Sequence, residues 1–286
     1  MVEAPGGPTV LRILLGTQLR RLREGRGITA QDAARAIRGS ESKISRIELG
    51  RNAIREVDVA DLLRFYGVND PGERDQLLFL ASQANQPGWW HRYNDILPEW
   101  FQSYIGMEEA AESIRVYEAQ FIPGLLQIEE YAAANIALGD FPPGESERHV
   151  ILRKERQRRF REGRMRLWAI IDEAALRRPL GGPEILREQL SYLLEASQRP
   201  NLTLQVTPYA AGGHAAPGGF SILRFNHAEL PDVVYVEHLT SALYLDKRVD
   251  VDRYLLAMER LSIVSPSPGE SAELLEKILH DTKGKA

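Results

Sequence analysis

The stretch SESKISRIELGR, residues 40–51, decides the fold of the N-terminal part of the chain. Its twelve residues include five charged side chains and three serines, whereas its apolar side chains fall only at positions 44, 47 and 49. Apolar residues spaced in this way lie on one face of an α-helix, and Ser40 is a favourable N-cap for it. Ile44 and Ile47 therefore predict the buried face of a short helix whose remaining surface is polar.

A second short helix precedes this stretch. The segment ITAQDAARAIRG, residues 28–39, starts with Thr29 as an N-cap, is rich in alanine and ends at Gly39. Two short helices joined by a tight turn that contains glycine form a helix-turn-helix. Further helical periodicity, with almost no strand pattern, extends the region to residues 10–84. The sequence thus predicts an all-α head of five helices.

The charge of the chain is distributed unevenly. The whole chain carries a net charge of -4, but residues 9–55 contain eleven Lys or Arg and four Asp or Glu, a local charge of +7. The rest of the chain then carries -11. This asymmetry is typical of a basic head that meets phosphate and an acidic body that does not.

Length and composition predict two globular domains. The 286 residues exceed the usual size of one domain, and 43% of them are hydrophobic. The chain has no cysteine, which excludes disulfides and thiolate zinc sites. Near the N-terminus the only apolar run is short and is broken by Arg12, so we expect neither a signal peptide nor a membrane span. We therefore expect the protein to stay in the cytoplasm.

Residues 10 to about 70 resemble the Xre and lambda-repressor type of DNA-binding domain, and SKISRIELGR is the most specific part of the likeness. In that family the second helix of the pair enters the major groove. The resemblance implies contacts to bases by Glu41, Ser42 and Arg46. It implies contacts to the DNA backbone or groove wall by a second set of side chains: Thr29, Gln31, Ser40, Lys43, Ser45 and Arg51.

The same resemblance implies a structural role for Glu48. In the phage repressors the glutamate at this position pairs with an arginine of the first helix, which aligns with Arg23 here. The chain departs from the family where Ala30 occupies the usual glutamine position, with Gln31 one residue later. An alternative for the whole head is a set of generic amphipathic helices with solvated charges.

The segment after the head is aromatic. Residues 85–98 lie in NQPGWWHRYNDILPEWF, which contains three of the four tryptophans. We interpret this segment as a linker docked on a second domain, although such a run could also stack on single-stranded bases.

From residue 99 to 282 strands and helices alternate, which predicts an α+β domain with a sheet of about four or five strands. Five segments have the composition of strands: SIRVYEAQF, MRLWAIID, LTLQVTPY, GFSILRF and DVVYVEHL. From about Trp90 to Leu279 the chain also resembles the C-terminal domain of an actinobacterial family of antitoxin-like transcriptional regulators with an Xre-type head. The likeness is carried by YEAQFIPGLLQIEEYAAANI, RQRRF, EAALRRPLGGPEILREQLSYLLE, LTLQVTPYAAGGH and GGFSILRF. Members are often encoded beside a small partner protein.

No catalytic motif is found, so we expect no enzyme activity, no metal site and no cofactor. His214 and the neighbours Glu237 and His238 are isolated candidates, and adjacent strand residues point to opposite faces. The basic segment 153–164 could meet phosphate or form a solvated helix with salt bridges. FIPGLLQ, residues 121–127, could be packed on the sheet or could edge a groove for a ligand or partner.

These patterns favour a sequence-specific transcriptional regulator that binds double-stranded DNA as a homodimer. Its C-terminal domain would supply dimerisation and the surface for an effector or partner. Two alternatives remain: an antitoxin-like protein that mainly neutralises a small co-encoded protein, and an enzyme with a DNA-binding address.

Overall fold

The computed structural model of the protein describes residues 8–139, 141–213, 216, 218–226 and 230–283. These residues form two compact units. The first contains the chain up to Ala110 and the segment Phe225–Pro231, and the second contains Ala111–Arg224 and the chain from Asp232 onward. His214, which the sequence singles out, lies outside the described residues.

The first unit begins with the five helices that the sequence predicts. Thr29 and Ser40 are the N-caps of the second and third, and Asp70 caps the fifth, which has proline at its first position. The helices are α1 (Pro8–Glu24), α2 (Ala30–Ala36), α3 (Glu41–Glu48), α4 (Glu56–Phe65) and α5 (Pro71–Ala84). The all-α head is confirmed.

The helices of the head enclose one apolar core. Leu19, Ile44 and Val59 are fully buried in it, one each from α1, α3 and α4. Small residues bring the helices close together: Ala33 and Ala34 of α2 are buried at the contact with α3. The core therefore fixes α3 by its apolar face and leaves the other side of that helix to solvent.

The aromatic segment belongs to the first unit. A 3-10 helix at Trp89–Tyr93 buries Trp90 against Gly106 of α6 (Glu99–Ala110), a helix that the sequence analysis does not predict. α6 in turn packs on α1. The first unit thus extends to Ala110, whereas the sequence places the second domain from residue 99. Because Trp90 and Tyr93 are buried, these two rings are not available to stack on bases.

The second unit contains a mixed sheet of six strands in the order β3-β2-β1-β4-β5-β6, so the α+β class is confirmed, with one strand more than expected. β2 pairs in parallel with β1 and with β3, whereas β5 pairs antiparallel with β4 and with β6. The strands are β1 (Ala111–Glu118), β2 (Arg166–Asp172), β3 (Leu202–Thr207), β4 (Phe220–Phe225), β5 (Val233–Glu237) and β6 (Ala242–Leu245). The short β6 is the strand that the sequence analysis misses.

Helices cover the sheet. α11 (Arg248–Val264) buries Val251, Met258 and Leu261 in one cluster with Tyr117 and Ile170 of the sheet. α12 (Pro268–Lys283) packs on β3 and on α10 (Pro183–Ala196). The remaining helices connect the strands. The helices of this unit are α7 (Glu129–Ile136), α8 (Glu145–Glu162), α9 (Glu173–Arg177), α10 (Pro183–Ala196), α11 (Arg248–Val264) and α12 (Pro268–Lys283).

Candidate nucleic-acid interface

α3 is held against α1 by close backbone contact. Gly16 of α1 leaves no room for a side chain, since a Cβ atom there would lie 2.7 Å from the carbonyl oxygen of Glu48. Gly50, directly after α3, has a positive φ of 64° and faces the backbone of Ile13 in the same way. These two glycines let the helices approach more closely than any side chain would allow.

A buried ion pair fixes the end of α3. Arg23 donates from Nε to Glu48 Oε1 at 2.6 Å and from Nη2 to Glu48 Oε2 at 2.9 Å, and its Nη1 donates to the carbonyl oxygen of Ile28. The hydrogen bond from Arg23 and the carboxylate charge hold the pKa of Arg23 above its usual value. Burial and the nearby Glu48 raise the pKa of Tyr66. Glu48 therefore faces the protein and not a groove of DNA.

The two N-cap side chains serve the helices themselves. Ser40 Oγ accepts a hydrogen bond from the backbone N–H of Lys43 at 3.1 Å. Thr29 Oγ1 accepts one from the backbone N–H of Asp32 and donates one to its carboxylate. Both residues are exposed, which the DNA contact implied by the resemblance requires. Each hydroxyl, however, already accepts a hydrogen bond from a backbone N–H group in the first turn of its helix.

Lys43 has a structural partner that the sequence analysis does not identify. Its Nζ lies 2.9 Å from Oδ2 of Asp58, a carboxylate that is 3% exposed and that also accepts two hydrogen bonds from Arg55. The bonds from Arg55 and then from Lys43 lower the pKa of Asp58 against the effect of burial. The ammonium of Lys43 thus links α3 to α4. The resemblance instead implies that Lys43 contacts the DNA backbone or the groove wall.

The remaining polar side chains of α3 form one exposed surface. Glu41, Ser42, Ser45 and Arg46 are all exposed, and on a helical wheel they occupy a continuous arc opposite Ile44. The structure gives the guanidinium of Arg46 no ion pair within the described part of the chain. We call these four residues the α3 face.

Two further residues of the predicted DNA contacts lie outside α3. Gln31 is exposed in the first turn of α2. Arg51 is partly buried just after α3, and its carbonyl oxygen accepts a hydrogen bond from Ser103 of α6. The structure thus holds the backbone of Arg51 in place beside the end of α3.

The candidates in the second unit fall into structural roles or stay isolated. In α8 three basic side chains form salt bridges: Lys154 with Glu129, Arg158 with Glu155 and Glu162, and Arg159 with Glu155. Ile122 and Leu126 are buried, so the apolar residues of FIPGLLQ do not form an exposed groove. Over the described residues no cluster of three His, Asp or Glu side chains could hold a metal ion.

One carboxyl group of the second unit has a strongly altered proton affinity. Burial at the end of β1 raises the pKa of Glu118 to about 8, and the negative charge of Glu237 adds to this effect while Arg153 opposes it. Glu118 also packs on Gly219, since a Cβ atom there would lie 2.7 Å from its Oε2. A single glutamate at a strand end gives no signal in the sequence, so Glu118 cannot be predicted as a candidate.

The head and its exposed α3 face define a helix-turn-helix protein of the DNA-binding class, and residues 14–77 match a family described as a helix-turn-helix domain. The chain belongs to the family described as domain of unknown function DUF5753, which matches residues 101–277, more than half of the chain. Neither the curated proteins nor the solved structures contain a significant match. No helix in the described ranges is both long and apolar enough to cross a membrane.

Proposed function

We propose that this protein is a sequence-specific transcriptional regulator that binds double-stranded DNA through the α3 face. The observation that carries the proposal is the division of α3 into two sides. Ile44, Ile47 and Glu48 are each fixed by the head, whereas Glu41, Ser42, Ser45 and Arg46 are exposed. A rigidly anchored helix with a polar exposed side in a helix-turn-helix is suited to the major groove.

The side chains of the α3 face can form hydrogen bonds with different groups of DNA. The guanidinium of Arg46 can donate two hydrogen bonds to O6 and N7 of guanine. The carboxylate of Glu41 can accept one from N4 of cytosine, and Ser42 can contact either kind of base. In this proposal Ser45 contacts the groove wall, and Gln31 and Arg51 contact backbone phosphates.

We further propose that the protein binds DNA as a homodimer in the cytoplasm and has no enzymatic activity. α3 has eight residues and is about 12 Å long, so one copy reaches only a few base pairs. Two copies on two half-sites would multiply the specificity. In this proposal the second unit provides the dimer contact and receives an effector or a partner protein, which shifts the spacing of the two heads.

The proposal is tested by selecting genomic fragments with the full-length protein and footprinting the enriched sites. We expect discrete sites with two related half-sites. On such a site Arg46→Ala should lower the affinity by about 1 to 3 kcal/mol and relax the preference at one base position. Uniform binding along all fragments, or a site whose binding is unaffected by Arg46→Ala, would contradict the proposed readout.

Two other arginines serve as comparisons. Arg51→Ala should weaken specific and unrelated DNA by the same factor, because a phosphate contact has no sequence preference. Arg64→Ala removes an exposed arginine of α4 that pairs with Asp61, and it should leave DNA binding unchanged.

A further inference from the structure

A pocket of about 490 Å³ lies between the sheet of the second unit and α11. Arg115, Trp168 and Arg224, from β1, β2 and β4, form its sheet wall, and Leu255 and Leu256 contribute apolar surface from α11. This volume is within the range of sites that bind small molecules. The pocket is also bounded on two sides by regular elements, which favours a preformed shape.

The sheet wall combines an aromatic ring with a cation. Arg115 and Trp168 are register partners on neighbouring parallel strands, and the guanidinium of Arg115 lies 5.4 Å from the centre of the indole ring. The indole is held in place from behind, since Trp168 Nε1 donates to Gln205 Oε1 at 2.9 Å. Gln205 is itself buried and donates to the carbonyl oxygen of Pro266.

The two arginines of the wall differ in their hydrogen-bond partners. Arg224 donates three hydrogen bonds to the carboxylate of Asp232. Arg115 is half-buried, and the described residues include no hydrogen-bond acceptor for its guanidinium. Burial and the positive charge of Arg224 lower the pKa of Arg115, and Asp232 offsets this only in part. An anion against this wall would give Arg115 a hydrogen-bond acceptor and a closer counter-charge than Asp232.

The acidic side chains of the pocket lie on the opposite wall. Asp252 and Glu259 are exposed residues of α11, and Asp252 is 3.7 Å from Arg248. The sheet wall is therefore cationic and aromatic, and the helix wall is apolar with acids that face solvent. A ligand with its charge at one end of a flat ring fits this order of groups.

We infer that this pocket is the effector site of the second unit and that it binds a small aromatic anion, with the ring against Trp168 and Leu255 and the carboxylate or sulfonate on Arg115. Only the role of the ligand as an effector rests on the proposed function. Binding itself is a property of the pocket and can be measured without DNA.

The test uses two fluorescent probes with the same ring system. 1-Anilinonaphthalene-8-sulfonate has the anionic group, and N-phenyl-1-naphthylamine lacks it. We expect the full-length protein to bind the sulfonate saturably with one site per chain and at least tenfold more tightly than the neutral amine. Equal affinity for the two probes would show that the pocket does not select an anion and would overturn the inference.

The variant Arg115→Gln should weaken binding of the sulfonate at least tenfold and leave binding of the neutral amine unchanged. The matched control is Arg199→Gln, which removes an arginine that lies 5.4 Å from the ring of Tyr192 and outside the pocket. It should bind both probes like the unaltered protein. Unchanged binding of the sulfonate by a folded Arg115→Gln protein would overturn the inference.

A second variant locates the probe if Arg115→Gln fails to fold. Leu256 is 46% exposed at the pocket, so Leu256→Trp should fill the space without disturbing the sheet and should abolish binding of both probes. Unchanged binding of the sulfonate by Leu256→Trp would place the probe elsewhere. DNA binding is measured separately. If the unaltered protein binds the probes as expected but does not bind DNA, the inference about the pocket is supported and the proposed function is contradicted.

Discussion

The glutamates of α3 show how position decides the role of a residue type. Glu48 is 7% exposed and bound by two nitrogens of Arg23, whereas Glu41 is exposed at the first position of the same helix. The helix dipole stabilises a carboxylate at a helix N-terminus slightly, whereas a buried carboxylate depends on its ion-pair partner for stabilisation. The same substitution should therefore affect mainly stability at Glu48 and mainly DNA binding at Glu41.

Glu48→Gln should lower the free energy of unfolding of the head by about 3 to 5 kcal/mol, because it removes the buried carboxylate that binds two nitrogens of Arg23 and leaves only the exposed Glu24 as a counter-charge. Glu41→Gln should change it by less than about 0.5 kcal/mol and instead alter the base preference of DNA binding. Urea unfolding and binding to a selected DNA site measure the two effects. Equal stability of the two variants would refute the structural role of Glu48.

Glu118 predicts a pH dependence of the second unit. Its pKa is raised to about 8 from a reference value of 4.5, so the folded protein keeps the proton that the unfolded chain releases. The stability from this protonated carboxyl is fully present below about pH 4.5 and is lost as the pH rises through about 8. Glu118→Gln imitates the protonated form and should make the unit more stable at pH 8 than the unaltered protein.

The measurement for this prediction is the thermal midpoint of both proteins at pH 5, 6.5 and 8. The advantage of Glu118→Gln should grow across this series, and Glu147→Gln, at an exposed position of α8, should show no such trend. A constant difference across the series would mean that Glu118 is ionised in the folded state.

At the scale of elements, the sequence predicts those helices and strands whose pattern is local. The caps Thr29 and Ser40 and the spacing of Ile44 and Ile47 are enough to place α2 and α3. α6 and β6 escape prediction for physical reasons: Gly106 interrupts the helical pattern of α6 and is required by contact with Trp90, and β6 has only four residues. Such elements form because distant residues pack on them.

The candidate site follows the same rule. The exposed residues of the α3 face can be predicted from spacing and resemblance, because exposure follows from the helical period. The partner of Lys43 cannot, since Asp58 lies fifteen residues later and its burial depends on how α4 packs. The pocket beside Trp168 also escapes prediction, because it joins three strands to α11.

The close contact between α1 and α3 can be tested by a substitution that adds one methyl group. Gly16→Ala would place a Cβ atom 2.7 Å from the carbonyl oxygen of Glu48, and backbone on both sides cannot yield easily. We expect a loss of about 1 to 3 kcal/mol in stability and weaker DNA binding, although no DNA-facing residue has changed. The comparison is Gly269→Ala in α12, where open space surrounds the added methyl group and alanine favours the helix. Equal effects of the two substitutions would argue against close packing at Gly16.

At the scale of the whole molecule, the location of charge matters more than its sum. The chain carries a net charge of -4, yet residues 9–55 carry +7, so only part of the surface attracts phosphate. Within the head the carboxylates of Asp32, Glu48 and Asp58 neutralise some of the arginines and lysines. Arg38, exposed in the turn before α3, has no ion pair to any described residue and adds to the surplus near the α3 face.

Two substitutions that change the net charge equally should therefore affect DNA binding differently. Arg38→Gln should reduce the slope of the logarithm of the binding constant against the logarithm of salt concentration by about 1, because one phosphate contact and its released counterion are lost. Arg260→Gln, at an exposed position of α11, should leave the slope unchanged although it removes the same charge. Binding isotherms on one DNA site at several salt concentrations give both slopes. An identical decrease for the two variants would mean that the net charge of the chain, and not the basic head, sets the affinity for phosphate.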